Sequence, residues 1–218
     1  MKEPRKVRIN EANNFKLSDI LLHVEFKFIM TVLLSIFAVT RYLMMPDRIH
    51  ELCFVAMLLS SMGDLCMMNH MGIPSITFKG KQFYAGMLFF AIAHVCYRQM
   101  FRNILPKPII WGIGETVSVL FLLAFLVVIN LCQLKKDSNV FNVATGLYTG
   151  FIFSNLAAAL NCAYYLRGGY ILAFVGVVCF VISDFFLLIR ETYKDTPTIR
   201  KLVWIFYPLA QILIIGNV

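Results

Sequence analysis

Seven blocks of apolar residues, each bounded by a short polar or helix-breaking segment, set the pattern of this chain. They cover residues 21–43, 50–69, 81–102, 109–132, 140–163, 169–190 and 201–216. A helix of about 20 apolar residues crosses the hydrocarbon core of a bilayer. The breaks read MMPDR, MGIPS, LPKP, KKDSN, RGG and KDTP, and they hold the proline, glycine, asparagine and aspartate that stop helices and make turns. The pattern predicts an all-α, polytopic transmembrane helix bundle of about seven spans, the last being the shortest. Residues 21–218 are expected to form one helical domain, preceded by a polar, basic tail over residues 1–20. The connections are too short to hold a second domain, so any chemistry belongs inside the bundle or at its mouth.

Composition sharpens this picture. Hydrophobic residues make up 60% of the 218 and charged residues 15%, with a mean hydropathy of +0.75. A soluble globular domain is roughly 45–50% apolar and about 25% charged. The tail lacks the short apolar region and small-residue cleavage site of a signal peptide, so the first span is expected to remain. The net charge of +8 does not point to nucleic acid, because the basic residues are scattered over short loops and the tail. It reads better as membrane orientation. Thirteen Lys and Arg fall on the side of the tail: Lys2, Arg5, Lys6, Arg8, Lys16, Lys79, Lys81, Lys135, Lys136, Arg190, Lys194, Arg200 and Lys201. The opposite side holds six, namely Arg41, Arg48, Arg98, Arg102, Lys107 and Arg167. The N-terminus is therefore expected in the cytoplasm. The six cysteines all lie in apolar runs and form no CxxC pair, which suits packing better than metal binding.

Four ionisable residues inside the spans stand out: Lys27, Asp64, Glu115 and Asp184. A charge at the centre of a membrane helix costs at least about 2.5–3.5 kcal/mol, so such residues need a partner and a purpose. Asp64 in LLSSMGDLCMM and Asp184 in VCFVISDFFLL each follow a small residue, Gly63 and Ser183, which lets a backbone or a ligand come close. Both lie near the cytoplasmic ends of their spans, roughly 8–9 Å below the surface at 1.5 Å per residue. Lys27 and Tyr207 fall at the same level, His94 and Gln211 deeper, and Glu115 near the outer face as a structural residue. Bland readings compete: a lysine snorkels to the interface on its long stem. A membrane histidine is often a packing residue, and an interfacial tyrosine is often an anchor.

On these residues the chain resembles the lysoplasmalogenases, the YhhN-like multi-pass proteins of bacterial and animal membranes. The resemblance rests on SSMGDLCMM at 60–68, FYAGMLFFAIAHVCY at 83–97, FVISDFFLLIR at 180–190 and FYPLAQILI at 206–214. These are similar to the family's Gly-Asp, Ala-His-x-x-Tyr, Ser-Asp and Tyr-x-x-Ala-Gln helices, in the same order. Members usually carry an eighth, N-terminal helix, where this chain has a charged tail. They often read Asn-(Lys or Arg)-Phe after the Ser-Asp helix, where this chain has Arg190-Glu191-Thr192. Phe206 replaces the first of two tyrosines in the last helix, and Pro208 follows Tyr207.

The resemblance implies hydrolysis of the vinyl ether bond of a lysoplasmalogen, a membrane lysophospholipid, to a fatty aldehyde and a glycerophospho-alcohol. It implies a bacterial cell membrane or an ER-type membrane. Protonation of the electron-rich β-carbon gives an oxocarbenium ion, water adds, and the hemiacetal collapses. Such a reaction asks for one protonated acid, one group that activates water and a negative charge near the cation, as glycoside hydrolysis does. Asp64 and Asp184 meet that demand with no cofactor and no metal, provided that they face one chamber. Lys27, Tyr207, His94 and Gln211 are candidates to tune them or to bind substrate. Rival readings are a transporter or channel that relays ions through the buried acids, a metal-dependent amidase, and a non-enzymatic sensor. The amidase needs about three buried histidines, and of His23, His50, His70 and His94 only the last lies well inside a span. On the orientation rule, an epitope joined before Met1 is expected to be shielded in intact cells and one after Val218 to be exposed. Antibody labelling before and after permeabilisation checks this.

Overall fold

The computed structural model describes residues 24–67, 82–107, 109–131 and 138–218. The basic tail, the MGIPS loop, most of KKDSN, His23, His70 and Cys132 lie outside the described residues. Among the described residues the fold is seven α-helices without strands: α1 (Val24–Met44), α2 (Arg48–Met67), α3 (Gln82–Ile104), α4 (Ile113–Leu131), α5 (Asn139–Leu166), α6 (Gly169–Thr192) and α7 (Pro197–Gly216). Six of them have the length and composition to cross a membrane. The other is α3, which has the length but carries Gln82, His94, Arg98, Gln99, Arg102 and Asn103. This is a multi-pass membrane protein.

Local chemistry sets the helix ends. Asp47 caps α2, its Oδ1 accepting from the amides of Ile49 and His50 at 2.9 Å. Ser138 caps α5 and Thr196 caps α7, each accepting from the amide three residues on. Pro197 stands at the first position of α7, where its missing N–H costs nothing. This cap starts α7 four residues before the expected span, so the last helix is 20 residues long and not the shortest. The shortest is α4, with 19 residues. Its first turn opens at Ile113 because the Glu115 carboxylate takes the Gly112 amide at 2.8 Å. Between α5 and α6 the chain reverses on two residues of positive φ, Arg167 and Gly168, both at 57°. A glycine adopts that conformation at little cost.

Helix packing closes a ring: α1 on α2, α2 on α3, α3 on α5, α5 on α6, α6 on α7, and α7 back on α1. The remaining helix, α4, packs on the outside of α5. Small residues line the seams, including Ala157, Ala158 and Ala159 of α5, Ala173 and Gly176 of α6, and Ala210 of α7. With no hydrophobic effect between helices in lipid, close approach is what binds them. Polarity is inverted relative to a soluble protein. Ser60, Asp64, His94, Asn155, Asn161, Ser183 and Gln211 are buried. Leu33, Leu120, Phe121, Val127 and Leu147 point outward. Cys162 donates its thiol to the Phe101 carbonyl at 3.0 Å and is otherwise a packing residue.

Glu115 and Asn161 pin α4 to α5. The Asn161 Nδ2 donates to Glu115 and its Oδ1 accepts from the Gly114 amide, both at 2.8 Å. A Cβ on Gly114 would overlap the Ala157 carbonyl, a backbone atom that has no room to yield. Gly114→Ala is therefore expected to destabilise the protein by about 1–3 kcal/mol. Thermal unfolding of the purified protein in detergent measures it.

Candidate functional site

Asp64 is 6% exposed, on the face of α2 that also carries Ser60 and Ser61. Two hydroxyls donate to its Oδ2: Thr31 of α1 at 3.1 Å and Tyr207 of α7 at 2.7 Å. One turn away, the hydroxyls of Ser35 and Ser61 meet at 2.8 Å. Thr31 and Ser35 on α1 thus mate with Asp64 and Ser61 on α2, and Tyr207 brings α7 to the same point. A carboxylate in hydrocarbon must be met in this way.

Asp184 of α6 stands in a second cluster. Tyr148 of α5 donates to its Oδ2 at 3.0 Å. The Nε2 of His94, from α3, lies 3.8 Å from the same oxygen, too far for a hydrogen bond, and has no other partner. The Nδ1 of His94 meets the Nδ2 of Asn155 at 3.2 Å. Asn155 is fully buried. Where the amide nitrogen donates to Nδ1, the ring proton resides on Nε2 and faces Asp184.

Rings join the two clusters. Phe90, Phe180 and Tyr207 touch mutually, edge to face, with centroids 5.5 to 6.3 Å apart. The His94 ring lies against Phe180 at 4.7 Å. The path from one acid to the other runs Asp64, Tyr207, Phe180, His94, Asp184. Each carboxylate has its own hydrogen-bond partners, and the contacts that lead from one to the other pass through these rings. A cavity of about 30 Å³ touches Asp184 and Tyr148 and is otherwise lined by apolar side chains with Thr145 and Thr149. One or two waters fit such a volume.

The structure sorts the other expected site residues. Tyr207 and Asp64 meet, as their matching depth suggests. His94, expected deeper, nevertheless comes to Asp184. Gln211 turns to Tyr97, whose hydroxyl donates to its Oε1 at 2.5 Å. The Lys27 ammonium lies 5.1 Å above the ring of Trp204, within electrostatic reach of Asp64. Trp204 in turn packs on Tyr207 at 5.7 Å. Ser183 and Gly63 serve packing. The Ser183 hydroxyl bonds the Val203 carbonyl across the α6–α7 seam, and Gly63 admits the Phe90 ring, which lies 2.7 Å from where a Cβ would be. Thr31, Tyr148 and Asn155 were not singled out from the sequence. An asparagine inside FSNLAAAL is the kind of mid-span polar residue that signals them.

The YhhN family matches residues 22–218, nearly the whole chain, and this is the decisive likeness. The chain belongs to the YhhN family. YhhN-like proteins include lysoplasmalogenases. No curated protein and no solved structure matches the chain. In this YhhN protein the family's two acidic helices are therefore α2 and α6, on opposite sides of the ring, with the acids linked through residues of α3 and α7. Among the described residues no three of His, Cys, Asp and Glu gather in one place. Tyr207→Phe keeps the ring contacts and removes the hydroxyl from Asp64. It is expected to destabilise the fold by about 1–3 kcal/mol, read from thermal unfolding against wild type.

Proposed function

We propose that this protein hydrolyses the vinyl ether bond of a lysoplasmalogen, releasing a fatty aldehyde and a glycerophospho-alcohol. The observation that carries the reading is a half-buried carboxyl, Asp184, that borders a water-sized cavity and has Tyr148 and His94 near one oxygen. Membership of a family that includes lysoplasmalogenases supports the choice of substrate.

The chemistry asks first for a proton on the β-carbon. Asp184 is the acid at the cavity, so it is the donor. The proton leaves the carboxyl, the C=C electron pair takes it, and the ether oxygen shares the positive charge that results. Tyr148, which donates to it, then stabilises the Asp184 carboxylate, because a donor to an anion favours it, and the His94 ring nearby adds its dipole. Asp64, one aromatic layer away, sets a negative charge opposite the oxocarbenium. Water from the cavity adds to the cation and gives its proton to Asp184, which is restored. One residue serves as acid and then as base, as in retaining glycosidases. The hemiacetal then breaks to aldehyde and alcohol. With the N-terminus in the cytoplasm, both acids lie toward the inner leaflet, where a lysolipid keeps its head at the interface.

Asp184→Asn keeps the shape and removes the transferable proton. It is expected to lower aldehyde release by at least about 100-fold, the usual scale for a lost general acid. Asp64→Asn is expected to lower it less steeply, since that residue acts through its charge. The assay uses purified protein and a lysoplasmalogen, with the saturated ether analogue as blank. Full activity in both variants would end the proposal.

A further inference from the structure

A second cavity, of about 110 Å³, opens between the end of α4 and the start of α5. Its walls carry Leu126, Ile129 and Asn130 from α4 and Phe141, Asn142 and Gly146 from α5. Thr145 and Thr149 line this cavity and also the smaller one at Asp184, so the two adjoin across these threonines, in a cleft along one side of α5. Polarity is graded along it. Two amides and two hydroxyls mark the mouth, and Phe125, Phe153 and Phe185 flank the acid at the inner end.

One feature marks the cleft as a place for a ligand. The Thr145 Oγ is buried without a hydrogen-bond partner, which native structures seldom leave unmet. Thr149, by contrast, already donates to the Thr145 carbonyl at 2.7 Å. Gly146, at the cavity's edge, is exposed and an added Cβ there would meet nothing within 4 Å, so a larger side chain can be placed there.

We infer that this cleft seats the glycerol portion of a single-chain ether lipid, and that the Thr145 hydroxyl bonds the lipid's free secondary hydroxyl. The inference rests on the hydrolase reading for the identity of the ligand. In such a lipid the secondary hydroxyl is a few bonds from the ether carbon, as Thr145 is placed between the mouth and Asp184. Esterifying that hydroxyl removes the donor and leaves Thr145 unmet. A site built to bond a hydroxyl rejects the analogue that lacks it. Thr145 is thereby the residue that separates single-chain from two-chain lipids.

The test is equilibrium binding of a radiolabelled 1-O-alkyl lysophosphatidylethanolamine, which has no vinyl bond and cannot turn over. Wild type is expected to bind it at least roughly tenfold more tightly than its 2-acyl counterpart. Gly146→Leu fills the mouth and is expected to weaken binding roughly tenfold or more with an unchanged unfolding temperature. Thr145→Val is expected to abolish the preference for the single-chain form, and it decides alone if Gly146→Leu unfolds. Equal binding of both lipids by wild type, binding of neither, or wild-type affinity in both variants overturns the site. A wild type that shows the binding pattern but releases no aldehyde from lysoplasmalogen sinks the hydrolase reading and leaves the site standing. Turnover with unaltered binding in the variants does the reverse.

Discussion

A polar side chain in hydrocarbon has no solvent to fall back on, and the arrangement of this bundle follows from that. Each buried acid must draw its donors from other helices, because its own helix has spent its backbone groups on itself. Asp64 gathers α1 and α7 around α2 through Thr31 and Tyr207. Asp184 gathers α5 through Tyr148 and holds α3 near through His94. The hydrogen bonds of the two acids therefore tie together five helices of the ring, with His94 of the sixth close by. The groups that make chemistry possible are also those that specify which helix neighbours which.

The packing then has to bring these groups into register. Gly63 lets Phe90 lie flush against α2, and Gly176 brings α6 to within van der Waals contact of the Ala210 carbonyl on α7. Phe90, Phe180 and Tyr207 fill the space so created. Each acid keeps its own set of donors beside these rings, so the two carboxyls sit in distinct environments.

Much of this was legible in the sequence. Apolar blocks of helical length gave all seven helices, with ends wrong by a few residues where a cap such as Thr196 or a side chain such as Glu115 decides the start. Asp64, Asp184, His94 and Tyr207 stood out because ionisable or hydrogen-bonding groups are costly inside a membrane. Depth put Asp64, Asp184, Lys27 and Tyr207 in one layer and His94 deeper, but which of them meet is set by helix tilt and helix order, and depth along a helix says nothing of either. Tyr148 and Asn155 went unnoticed because an uncharged polar residue carries a weaker signal than a charge. The ring order, with α4 left outside, is a property of three-dimensional packing for which linear periodicity has no counterpart. Sequence spacing also had no bearing on which donors each acid finds, or on the run of ring contacts that leads from one to the other.

The pinning of α4 has a mechanical side. The Glu115–Asn161 clamp and the overlap-tight Gly114 crossing grip one end of this helix, while its other end, at Asn130, borders a cavity. Near that second end Ile129 packs with Phe141 and Leu188, and Phe125 leans on Phe153 and Phe185. Polar bonds and a hard backbone contact thus fix where α4 crosses α5, and apolar side chains, which tolerate small adjustments, carry the contact onward to the cavity's edge.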